Sequence, residues 1–82
     1  MPYMPYFGVL SQGSVTYGSS WSFVSEETEN PSIANTWSCS SCTSESDAFL
    51  LISSEHPASA YPVGTQGCVF DGIGIWWVYI AV

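Results

Sequence analysis

Residues 71–82 read Asp71-Gly72-Ile73-Gly74-Ile75-Trp76-Trp77-Val78-Tyr79-Ile80-Ala81-Val82, the most strongly patterned segment of the chain. Asp-Gly is a hairpin-turn signal, and Cys68-Val69-Phe70 just before it begins the entering strand. Past the turn, β-branched and aromatic residues favour an extended backbone. Ile73, Ile75, Trp77 and Tyr79 fall on one side, and Trp76, Val78, Ile80 and Val82 on the other. A strand apolar on both sides is central in a two-layer fold, or turns one face to another subunit. The apolar run Ile73 to Val82 is about half a membrane span and is interrupted by Gly74, so it is not read as a membrane segment.

Upstream, residues 53–67 (SSEHPASAYPVGTQG) hold two prolines and two glycines and read as an irregular loop. Ala48 to Ser53 (AFLLIS) is a short buried apolar run. Its length favours a strand, although Ser44-x-x-Asp47 resembles a helix capping box and admits a helical turn. Residues 38–47 (SCSSCTSESD) form a polar loop, and Ile33, Asn35 and Trp37 alternate as in a half-buried strand. Glu26 to Ser32 (EETENPS) is a second polar loop with a turn at Asn30-Pro31. From Gly8 to Ser25 the texture is β, with Trp21 and Phe23 on one face of an alternating piece. The first seven residues, MPYMPYF, suit an extended arm, because proline disfavours helix and cannot donate to a ladder. The pattern predicts an extended N-terminal arm over 1–7 and a single all-β domain over 8–82. That domain is expected to be a small sandwich or barrel of five to seven short antiparallel strands.

Composition restricts function more than any motif does. The 82 residues suit one small domain, and the 13 aromatic residues argue against disorder. The chain has no lysine and no arginine, a formal net charge of -7, and only 9% charged residues against roughly 25% in an ordinary domain. At average usage, a cation-free run of this length arises by chance about 3 times in 100,000, so the absence reflects selection or an unusual proteome. Without cations the chain is not expected to bind nucleic-acid phosphates or anionic membranes. Serine and threonine supply 20 of the 82 residues, so hydroxyls replace the usual surface charges. The opening MPYMPYFGVL has neither a basic region nor a long enough apolar stretch for a signal peptide, so that export route is not expected.

Candidate chemistry is sparse. Cys39-x-x-Cys42 with His56 and Cys68 makes a weak Cys3His zinc candidate. A disulfide joining two of the three cysteines ranks above zinc, and free, partly buried thiols rank first. A redox CxxC lacks the nearby cation or helix N-terminus that stabilises a thiolate. His56 has no nucleophile elbow to serve. Paired-carboxylate glycosidase chemistry needs a cleft that 82 residues rarely build. No catalytic residue, no cofactor and no enzymatic activity is therefore expected.

The favoured reading is a non-enzymatic structural protein of an assembly, most concretely a small virion (phage capsid) decoration or cement protein. It would sit on a virion surface or another extracellular assembly, as a homo- or hetero-oligomer. Its partner interface is expected to be the arm (Pro2, Tyr3, Pro5, Tyr6, Phe7) and the last strand (Trp76, Trp77, Val78, Tyr79, Ile80). Two other readings follow from the same residues. An acidic antagonist would occupy a basic nucleic-acid-binding surface through Glu26, Glu27 and Glu29. A glycan-binding β module would stack sugars on exposed tryptophans.

Overall fold

The computed structural model describes residues 14–82. Among them, four strands form one mixed sheet: β1 (Trp21–Glu27), β2 (Thr36–Ser38), β3 (Gln66–Phe70) and β4 (Trp76–Ala81), in the spatial order β1-β4-β3-β2. β4 is antiparallel to both of its neighbours, and β2 runs parallel to β3. One helix, α1 (Glu45–Glu55), covers one face, and a 3-10 turn at Ala58–Ala60 follows it.

The last strand is central, one of the two placements that its two apolar sides admit. Trp77, Tyr79 and Ala81 join Trp21, Val69, Ala48 and Ile52 in the core beneath α1, with Ile75 packed against it. Paired backbone continues past the strand ends. Val82 N–H donates to Ser20 O, and Ala81 N–H donates to Thr65 O. In β1 the register shifts between Phe23 and Ser25, so Val24 occupies a bulge and the strand changes which residues face inward.

Several expectations are corrected. Among the described residues, the domain is not a sandwich or barrel of five to seven antiparallel strands but a single four-stranded mixed sheet with a helix on it. The run at 48–53 is helical, not a strand. Its apolar residues bury at a spacing of four, with Ala48 and Ile52 fully enclosed, and polar residues on both sides extend the helix beyond the apolar run. The Ser44 hydroxyl accepts from the Asp47 amide, and the Asp47 carboxylate reaches back to the Thr43 N–H and hydroxyl. Those bonds hold the Asp47 carboxyl below its ordinary 3.8, the Thr43 N–H contributing most. The strand expected at 33–37 narrows to Thr36–Ser38, and Glu26 and Glu27 belong to β1, not to a loop. The arm over 1–7 lies outside the described residues.

β1 and β2 occupy opposite edges and run in the same direction, so residues 28–35 cross a face of the sheet. Parallel crossovers are right-handed almost without exception. Right-handed passage from β2 through α1 to β3, and again from β1 to β2, places α1 and residues 28–35 on opposite faces. Burial agrees. On the face away from α1, Cys68 is 0% and Val78 is 4% exposed, although neither belongs to the core under the helix.

A disulfide joins Cys39 to Cys42 in the link from β2 to α1, and Cys68 is free and buried. Closing so short a loop removes little unfolded-chain entropy. Reduction, or Cys39→Ser with Cys42→Ser, is expected to cost about 2 kcal/mol. Urea unfolding with and without reductant checks this; coincident curves would show that the bridge contributes nothing.

Candidate functional site

The hairpin between β3 and β4 is held by a single carboxylate. Its loop runs from Asp71 to Ile75. Asp71 Oδ1 accepts three backbone N–H groups, from Ile73, Gly74 and Ile75, each at 2.9 Å. The Asp71 N–H in turn donates to Ile75 O at 3.0 Å. A carboxylate gathering successive amides closes the loop as a small anion nest. Gly72 takes φ 90° inside it, a conformation that an L side chain resists. The Ile75 N–H most of all, together with those of Ile73 and Gly74, holds the Asp71 carboxyl below its ordinary 3.8, against the opposing push of partial burial.

A depressed folded-state pKa contributes stability that is present above the unfolded value and lost as pH falls below about 3.8. Asp71→Asn is therefore expected to lower the melting temperature at neutral pH and to shrink the acid-side loss. An unchanged acid limb would remove Asp71 as its source.

The clamp presents Ile73 at the tip, 92% exposed. Directly beneath, on the face away from α1, Phe70 and Trp76 form the last cross-strand pair. Their rings stack with centroids 4.4 Å apart and planes at 13°. Tip and stack form an apolar end to the sheet. Along β1 on the neighbouring edge, Phe23 and Val24 are also exposed.

The residues expected at a partner interface separate. Trp76 and Ile80 are half-buried on the face away from α1. Trp77 and Tyr79 are buried in the domain's own core, and Val78 is buried on the opposite face. Pro2, Tyr3, Pro5, Tyr6 and Phe7 lie outside the described residues. Trp77 Nε1 donates to Glu26 Oε1 at 3.0 Å, while Glu27 pairs with Trp76. Strand alternation thus puts Glu26 and Glu27 on opposite faces and divides the acidic cluster. Trp21 is buried and Trp37 is half-buried.

The zinc candidates do not assemble. Cys39 and Cys42 bond to each other, so neither offers a thiolate. His56 stacks on Trp37, centroids 3.9 Å apart. Burial pushes the Cys68 thiol up, opposed by a hydrogen bond with the Thr36 side chain. Among the described residues, no three His, Cys, Asp or Glu side chains stand together as a metal site. No described helix is long and apolar enough to cross a membrane.

Sequence reasoning took Asp71 as a turn marker and Ile73 as part of a strand face. The Asp-Gly-x-Gly spacing was the available signal for a loop wider than two residues, since its second glycine extends the turn chemistry past the dipeptide. No protein-family model, curated protein or solved structure matches the chain.

Proposed function

We propose that this domain is a non-enzymatic component of an assembly, docking on a neighbouring subunit through the hairpin end of its sheet. The small decoration or cement protein of a virion is its most concrete form. The observation that carries the reading is Ile73, 92% exposed on a loop whose backbone is held by three hydrogen bonds to one carboxylate. An apolar side chain on a pre-set backbone docks with little further loss of chain entropy. The stacked Phe70 and Trp76 beneath it supply the aromatic area typical of interface centres.

The missing cations specify the partner's chemistry. A chain of net charge -7 has no lysine or arginine to pair with its own carboxylates at a contact. A complementary surface therefore brings the basic residues. The Cys39–Cys42 bridge suits an oxidising setting outside the reducing cytosol.

Native mass spectrometry of protein isolated from its natural source tests the reading. A complex of fixed stoichiometry is expected, and recovery as a monomer alone would defeat the proposal. Ile73→Ser tests the docking point. It is expected to release the protein from the complex while leaving thermal unfolding unchanged, because the side chain touches little of its own domain. An Ile73→Ser protein that stays in the complex would remove the hairpin tip from the interface.

A further inference from the structure

We propose that the domain also carries a binding site for a neutral, polyhydroxylated small molecule of about one sugar ring. The site is an open cleft of about 320 Å³ at the end of the sheet away from the hairpin. That volume lies at the lower end of the range of small-ligand sites, which suits a single ring and not a chain. This inference goes beyond the assembly reading and uses none of the residues that reading depends on.

The lining defines the ligand class. Four serines, Ser19, Ser20, Ser53 and Ser59, surround two aromatic side chains, Trp21 and Phe49. The hydroxyls of Ser53 and Ser59 make no hydrogen bond with another described residue. Ser19 Oγ donates to Val82 O at 3.2 Å and keeps its acceptor lone pairs free. Hydroxyls that donate or accept as required match the mixed donors and acceptors of a sugar. The half-buried Phe49 offers an apolar wall for the carbon face of a ring. Among the described residues, no ionisable side chain lines the cleft. An anion would meet no lysine or arginine, and a cation would meet no carboxylate among the described lining residues.

The cleft is pre-formed, because its walls come from three segments that are bonded to one another. Residues 19–21 lead into β1, Phe49 and Ser53 stand on α1, and Pro57 to Ser59 enter the 3-10 turn. Trp21 Nε1 donates to His56 O at 2.7 Å, and Gly18 N–H donates to Tyr61 O at 2.8 Å. These two bonds tie the start of β1 to the segment that follows α1. The last turn of α1 borders the cleft with its negative dipole end, which favours ligand hydroxyl donors over anions.

The test is proton–nitrogen NMR of the full 82-residue chain during titration with methyl α-D-glucopyranoside and N-acetylglucosamine. Glucuronate and glucosamine serve as the charged comparators. Millimolar binding of at least one neutral sugar is expected, shifting the Trp21 indole signal and the Ser53 and Ser59 amides. Ser53→Ala with Ser59→Ala is expected to weaken it about tenfold. Ser59→Phe, at an exposed position on the lip, is expected to close the site without disturbing the core. Unmoved cleft signals with both neutral sugars, unchanged affinity in the double variant, or equal binding of glucuronate or glucosamine would each overturn the proposal. The assembly reading would survive any of these results, because its test concerns the hairpin.

Discussion

Tyr79→Ala is expected to unfold the domain, or to leave it barely folded. Tyr79 is 0% exposed at the middle of the central strand, with Phe23 and Phe49 rings against it at 5.5 and 6.2 Å. Truncating a buried aromatic costs about 3–5 kcal/mol. A domain of this length has a total stability of about 4–12 kcal/mol, so the loss is a large share of the whole. Tyr79→Phe isolates the hydroxyl, which donates to Glu45 Oε2 at 2.8 Å and lies 3.0 Å from Glu45 O. Its removal is expected to cost about 1 kcal/mol and to loosen the first turn of α1.

The same hydroxyl gives the protein an alkaline limb. Burial first, then the hydrogen bond to Glu45 and its negative charge, push the Tyr79 pKa above its ordinary 10.0. A raised folded-state value favours the protonated form. Stability present below pH 10 is lost as pH rises beyond it, because the unfolded chain ionises there and the folded chain does not follow. Tyr79→Phe should flatten that decline in a series of denaturation curves. An identical alkaline limb in wild type and variant would clear Tyr79 of the effect.

Gly67→Val is the second large effect. Gly67 lies buried in β3 under an aromatic group. A Cβ there would meet Ile52 Cδ1 at 3.0 Å, Trp37 Cζ3 at 3.1 Å and Trp21 Cη2 at 3.2 Å. The isoleucine Cδ1 is the end of a flexible side chain, but the indoles are held in place. Trp21 is pinned by its bond to His56 O, and Trp37 is stacked on the His56 ring. Alanine would recover about 0.5–1 kcal/mol of strand propensity and lose about 1–3 kcal/mol to overpacking, for a net loss of about 1 kcal/mol. Valine places two more methyl groups in the same space, so a loss of about 3 kcal/mol is expected. Near-ultraviolet circular dichroism should show the tryptophan environment change along with the shifted unfolding midpoint. Wild-type stability in Gly67→Val would mean that the indoles do not close over this glycine.

The helix shows where local pattern misled. Ala48 to Ser53 has the length of a strand, and a six-residue apolar run carries no decisive period. The choice was made by groups outside the run: the Ser44 and Asp47 bonds at its start, and the depth to which Ala48 and Ile52 sink against the sheet. The strand count failed for a similar reason. Val15, Thr16 and Tyr17 have β character, yet among the described residues they form no strand, making an isolated bridge from Tyr17 to Pro62 with Val63 N–H donating to Thr16 O. Propensity proposes a strand, but a partner with free backbone groups must be within reach to make one.

The sequence alone determined that the domain is β-rich, that Asp71-Gly72 turns a hairpin, and that the last strand is apolar on both faces. Each follows from local turn chemistry or from the apolar content of one segment. It also determined much of the chemistry of the surface, because a chain without lysine or arginine presents neither wherever its residues are placed. Tertiary structure alone decided that Tyr79 is core while Ile73 projects, that Glu26 and Glu27 part, and that four serines converge on one cleft. These depend on which strand lies beside which, where the bulge at Val24 shifts the register, and how residues 28–35 cross the sheet. Contacts between residues far apart in the chain set all three, and no local window contains them.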